Sequence, residues 1–137
     1  MTTLIIAAVA AVVIIAATAF VWIFRRKRKR KLKIEHYETR WKALQKLCSD
    51  KSTWPLAIID ADKLLDDALK RLRYKGKTMG ERLVAAQRDI TDNDSVWYAH
   101  KLRNKLVHED TINLKEPAVK DALKGVRQAL RDLGALK

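Results

Sequence analysis

Leu4 to Phe24 is an uninterrupted run of 21 residues without a charged side chain, and a dense positive block follows it at once. As a helix, such a run extends about 30 Å, the thickness of a bilayer's hydrocarbon core. Only a closed set of backbone hydrogen bonds survives there, so the segment is predicted to be a transmembrane helix. Trp22 and Phe24 near its end suit the membrane interface. Arg25, Arg26, Lys27, Arg28, Lys29, Arg30, Lys31 and Lys33 supply eight charges in nine residues. Positive flanks stay on the cytoplasmic side, so a single-pass anchor with its N-terminus outside and its remainder cytoplasmic is expected. A cleavable signal peptide is the rival, with Ala17-Thr18-Ala19 as a cleavage-like triplet. Such peptides carry their positive charge before the apolar run, whereas Met1-Thr2-Thr3 offers only the terminal amine. The span contains no glycine, so it has no GxxxG packing signal.

The chain thus divides into an anchor at 1–24, a juxtamembrane polybasic segment at 25–33 and a domain at 34–137. The whole sequence carries 29 Lys and Arg against 16 Asp and Glu, a net charge of +13. With the eight of the block set aside, 21 basic and 16 acidic residues remain, or +5. The domain alone is therefore only mildly basic. Position beside the membrane accounts for the block, as a topology signal that binds anionic lipid headgroups. The alternative is a strip for RNA phosphates. Arg25, Arg26, Lys27, Arg28, Lys29 and Arg30 are the candidate phosphate contacts on either reading.

Cys48 is the only cysteine, which excludes an intrachain disulfide and a cysteine-based zinc site. It reads as a small residue packed on a helix. Four Gly and two Pro argue against a turn-rich all-β fold. Apolar periodicity predicts helices throughout. Tyr37, Trp41, Leu44 and Leu47 mark one from Ile34 to Leu47, with no sequence break from the membrane helix. Pro55 opens a second, which carries Ile58, Ala61, Leu65, Ala68 and Leu72, widened by Leu64 and Leu69. It is expected to reach Tyr74, with Gly76 as the stop. Thr78-Met79-Gly80-Glu81 has capping-box form and opens a short helix through about Arg88. Another is expected from Ser95 to His108. Asn113 and Glu116 are candidate caps for the last, whose stripe is Val119, Leu123, Val126, Leu130 and Leu133, with Gly134 beyond. The predicted class is all-α, a transmembrane helix followed by a bundle of four or five helices.

The chemistry concentrates at the end of the Ser95–His108 helix. Arg103 is a permanent cation suited to a phosphoryl group, and His108 can move a proton near neutral pH. Val96, Ala99, Leu102, Leu106 and Val107 project onto one face at about 100° per residue. Arg103 falls inside that face, between Val96 and Ala99. Such a charge needs a partner if it is buried, and Asp60 and Asp62 flank the apolar face of the preceding long helix. His100, Asn104 and His108 form a separate stripe at spacings of four. Arg103 and His108 lie about 140° apart. Two readings follow: a reactive pair in a groove, or a core arginine with a histidine closing a helix terminus. No HExxH-type ligand set is present, so no metal is expected, and no cofactor signature appears.

The stretch His100-Lys101-Leu102-Arg103-Asn104-Lys105-Leu106-Val107-His108-Glu109 resembles the signature of the HEPN superfamily. Its members are small all-α bundles with an arginine, often a following polar residue, and a histidine after four to six intervening positions. The resemblance extends over about 54–133. It implies a metal-independent endoribonuclease in which two copies bring their motifs into one cleft. In that scheme His108 serves the 2′-hydroxyl, Arg103 steadies the phosphorane-like charge, and Asn104 orients them. Lys101 and Lys105 would add cationic density for RNA. The chain departs from those toxins that are modified by a partner nucleotidyltransferase. They place a tyrosine shortly after the histidine, whereas Glu109, Asp110 and Thr111 follow here. Other members are noncatalytic, so the alternative function is a membrane-tethered helical adaptor that binds a protein partner or itself.

Overall fold

A helix that is apolar on every side has no polar face to turn to water, and the first element is of this kind. The structure is a computed structural model that describes residues 1–27 and 31–137, with side chains for all of these except 24–27. It divides into two units, Met1–Arg30 and Lys31–Lys137. Helix α1 spans Thr2–Lys27, and its segment Thr2–Ile23 is long and apolar enough to cross a membrane. Leu4, Ile6, Val9, Val12, Ile15 and Phe20 are all exposed, so the helix buries no face within its own unit. Its one interior hydroxyl is satisfied locally, with Thr18 Oγ1 donating to the Ile15 carbonyl at 2.9 Å.

The second unit is helical, and no strand occurs among the described residues. Helices α2 (Ile34–Leu47), α3 (Trp54–Arg71), α4 (Met79–Ala86), α5 (Asn93–His108) and α6 (Glu116–Asp132) follow in order, with a short 3-10 turn at Lys51–Thr53. Helix α3 is the hub, in contact with α2, α4, α5 and α6. Its apolar positions explain why. Ala57, Ile58, Ala61, Leu64, Leu65, Ala68 and Leu69 are all buried, a stripe wide enough to serve neighbours on several sides. Tyr37, Trp41 and Leu44 of α2 and Val126, Ala129 and Leu130 of α6 join the same core. A smaller cluster of Ile58, Leu114 and Val119 lies under Leu102 and Leu106 of α5.

Several boundaries differ from the sequence expectation for identifiable reasons. Helix α2 begins afresh, because Lys31 to Lys33 are non-helical and Lys33 has an extended ψ of 95°. Helix α3 stops before Gly76, at a left-handed Arg73 with φ 63°. The Arg73 amide donates to the Lys70 carbonyl and the Tyr74 amide to the Leu69 carbonyl, a Schellman closure built without glycine. The same closure ends α6, there with Gly134 at φ 76° as expected. The Thr78–Glu81 capping box forms, but α4 ends at Ala86 rather than Arg88. Helix α5 starts early because Asp92 accepts from the Ser95 amide. Neither Asn113 nor Glu116 caps α6, since Lys115 occupies that position without a side-chain bond. Cys48 packs as expected. It is half-buried, its Sγ donates to the Leu44 carbonyl, and burial pushes its thiol up.

Polar links between elements predict an acid limb to stability. Tyr37 Oη donates to Asp67 at 2.7 Å, and Asp132 accepts from the Thr91 amide and hydroxyl, each at 2.8 Å. Burial pushes both carboxyls up. Tyr37 and Arg71 at Asp67, and Thr91 and Gln128 at Asp132, outweigh it and hold them below their ordinary 3.8. A depressed carboxylate contributes stability that is present above its unfolded value and is lost as pH falls through the folded one. The urea midpoint of the second unit should therefore drop as pH falls below 3.8. Asp132→Asn should flatten that limb, and an unchanged pH profile would refute the assignment.

Candidate functional site

Helices α3 and α5 lie in contact, and the charged residues of the site meet between them. Asp62 sits on the buried side of α3 with its side chain only 6% exposed. His100 of α5 reaches it, with Nδ1 3.0 Å from Asp62 Oδ1 and a side chain 12% exposed. Arg103, one turn further along α5, places Nε 3.5 Å from Asp62 Oδ2. That Nε–H forms no hydrogen bond although the atom is buried, so the contact is Coulombic only. Arg103 Nη1 donates to Asn104 Oδ1 at 3.0 Å, and Asn104 Nδ2 lies 3.5 Å from His100 Nε2. Asp62, His100, Asn104 and Arg103 thus close a ring of polar contacts.

This ring forms one wall of a cavity of about 480 Å³. Lys63 and Asp66 of α3 and Thr78, Met79 and Gly80 at the start of α4 line the rest. Arg103 remains 28% exposed while one edge of its guanidinium is held at Asp62. Asp66 is engaged by Arg82, whose Nε donates to it at 2.7 Å, and by Lys70. The lining therefore combines the carboxylates of Asp62 and Asp66 with the cations of Lys63 and Arg103, and no single sign of charge dominates.

The predicted site residues separate into groups. Arg103 and Asn104 come together, and Asp62 rather than Asp60 takes the arginine. His108 is exposed at the last position of α5 and is not among the residues lining the cavity. Lys101 and Lys105 are exposed and also lie away from its lining. Val107, placed on the apolar face by projection, is 50% exposed, whereas Leu106 beside it packs against the Ile58, Leu114 and Val119 cluster. Arg25, Arg26, Lys27, Arg28, Lys29 and Arg30 lie outside the residues whose side chains are described. Among the described residues, no group of three or more His, Cys, Asp or Glu could hold a metal ion. His100 was visible as the start of the His100–Asn104–His108 stripe, but the spacing alone gave no reason to join it to Asp62. In comparisons with known proteins the chain matches no family model, no curated protein and no solved structure.

Proposed function

We propose that the chain is a membrane-anchored, HEPN-like domain on the cytoplasmic side that cleaves RNA without a metal. In this reading the helices over about 54–133 form the HEPN-like bundle. Two copies pair so that Arg103, Asn104 and His108 contribute to a shared cleft. The observation that carries the reading is the state of Arg103. Asp62 and Asn104 orient its guanidinium, yet more than a quarter of the side chain stays open along a cavity. A cation held in place but accessible is what stabilises charge developing on a phosphoryl group. In this reading a second copy supplies His108, which is not among the residues lining the Arg103 cavity within one chain. The apolar helix followed by eight positive charges supports the anchor and its orientation, with anionic headgroups binding the block.

The test uses the full-length chain in detergent micelles with EDTA and a mixed-sequence RNA. Arg103→Ala and His108→Ala should each lower cleavage about 100-fold while the protein stays folded. A noncatalytic adaptor is the second reading, favoured by the Asp62–Arg103 contact that ties α3 to α5. It requires Arg103→Ala to destabilise the domain and His108→Ala to be nearly silent. Wild-type protein that leaves RNA intact, with that pattern of thermal melts, would select the adaptor.

A further inference from the structure

Asp62 and His100 stand outside the Arg103–His108 motif, yet both line the cavity that Arg103 lines. Their contacts specify the chemistry of each atom. Arginine only donates, so the oxygen of the Asn104 amide must face Arg103 Nη1. The amide nitrogen then faces His100 Nε2, and an NH₂ group also only donates, so Nε2 meets it as an acceptor. On the other side of the ring, Nδ1 faces the Asp62 carboxylate at 3.0 Å and carries the proton. The network therefore selects the Nδ1–H tautomer, with the Nε2 lone pair on the Asn104 side. At 3.5 Å the Asn104 contact is long, and a substrate hydroxyl can replace it. An imidazole oriented by a buried carboxylate, with its other nitrogen weakly engaged beside an arginine, has the arrangement of a general base.

We infer that His100, positioned by Asp62, is the general base of this cavity and takes the proton of a ribose 2′-hydroxyl next to a phosphodiester held by Arg103. This rests on the ribonuclease reading above and adds to it a division of labour between two histidines. The 2′-hydroxyl proton passes to His100 Nε2 as the bond from the 2′-oxygen to phosphorus forms. The bond from phosphorus to the 5′-oxygen breaks, and that oxygen takes a proton from His108 of a second copy. The products are a 2′,3′-cyclic phosphate and a 5′-hydroxyl. Both histidines return to their starting states by exchanging protons with water. Asp62 is a positioning residue, since it acts only through the imidazole and the guanidinium.

The experiment compares two substrates with full-length protein in micelles and EDTA. One is an RNA dinucleotide, and the other is uridine 3′-(4-nitrophenyl) phosphate, whose leaving group departs without a proton. His100→Ala should lose about 100-fold on both, and added imidazole should restore part of the rate. His108→Ala should lose about 100-fold on the dinucleotide but less than about tenfold on the nitrophenyl ester. If His100→Ala stays within about threefold of wild type on both while His108→Ala falls on both, His108 is the base. The ribonuclease reading then survives and this inference does not. Recovery by His100→Gln, which cannot take the proton, would also overturn it by showing a structural role. Wild-type protein inactive on both substrates removes the ribonuclease reading and the inference together.

Discussion

Gly125→Val is expected to abolish or severely weaken folding of the second unit, by more than about 3 kcal/mol. Gly125 lies in the middle of α6, where glycine costs about 1 kcal/mol relative to alanine. Its presence there is explained by the crossing with α5. A Cβ built on Gly125 would lie 2.7 Å from the carbonyl carbon, the carbonyl oxygen and the Cβ of Ser95. Two of these three atoms are backbone, in the first turn of α5, and cannot rotate away. Alanine should therefore be destabilising by about 1–3 kcal/mol despite its better helix propensity. Valine adds two methyl groups to the same clash. Trimming the neighbour with Ser95→Gly should fail to rescue Gly125→Ala, because the backbone contacts remain. Urea titration of full-length protein in micelles, read by amide exchange of α6, gives the measurement. Wild-type protection in Gly125→Ala would show that the helices separate without cost.

The contrast between Gly125 and Gly76 illustrates what was legible in the sequence. Both are glycines near helices, but only spatial neighbours distinguish a crossing point from a loop. Local signals were readable where the partner lies within one turn. The Thr78–Glu81 box and the Gly134 closure formed as expected, and α2 occupies its expected span. The stop of α3 was misread because Arg73 takes the left-handed conformation that glycine usually supplies. At the candidate site, Arg103 turns its buried Nε toward Asp62, one of the two partners named from the sequence, and keeps over a quarter of its side chain exposed. The contact of His100 with Asp62, 38 residues away in sequence, depends on the rotation of α5 against α3, which helical spacing does not encode. Projection also treats a helix as uniformly packed. It could not show that Val107 and His108 are exposed at the end of α5 while Leu106 still packs against the smaller cluster.

Arg82→Met is expected to cost about 2–4 kcal/mol, an effect with no local signal in the Met79–Ala86 pattern. Arg82 lies on the apolar face of α4 with Met79, Leu83 and Ala86, and its side chain is only 8% exposed. Its Nε and Nη2 both lie 2.7 Å from Asp66 Oδ1, and Nη1 donates to the Gly76 carbonyl at 2.8 Å. One guanidinium therefore joins α3, α4 and the loop between them. Methionine fills similar volume but strands the Asp66 carboxylate and the Gly76 oxygen. Lys70 still reaches Asp66 at 2.8 Å, but from a position 59% exposed, so it offsets only part of the loss. The double change Arg82→Met with Asp66→Leu removes both charges and should recover most of the stability, since a buried pair often stabilises no more than apolar packing does. A double-mutant cycle in urea measures the coupling. Additive single effects would mean that the two side chains are independent. Because Asp66 also lines the Arg103 cavity, the double variant separates cavity charge from fold. On the ribonuclease reading proposed above, a stable double variant that cleaves RNA would show that the Asp66 carboxylate is not needed in that cavity.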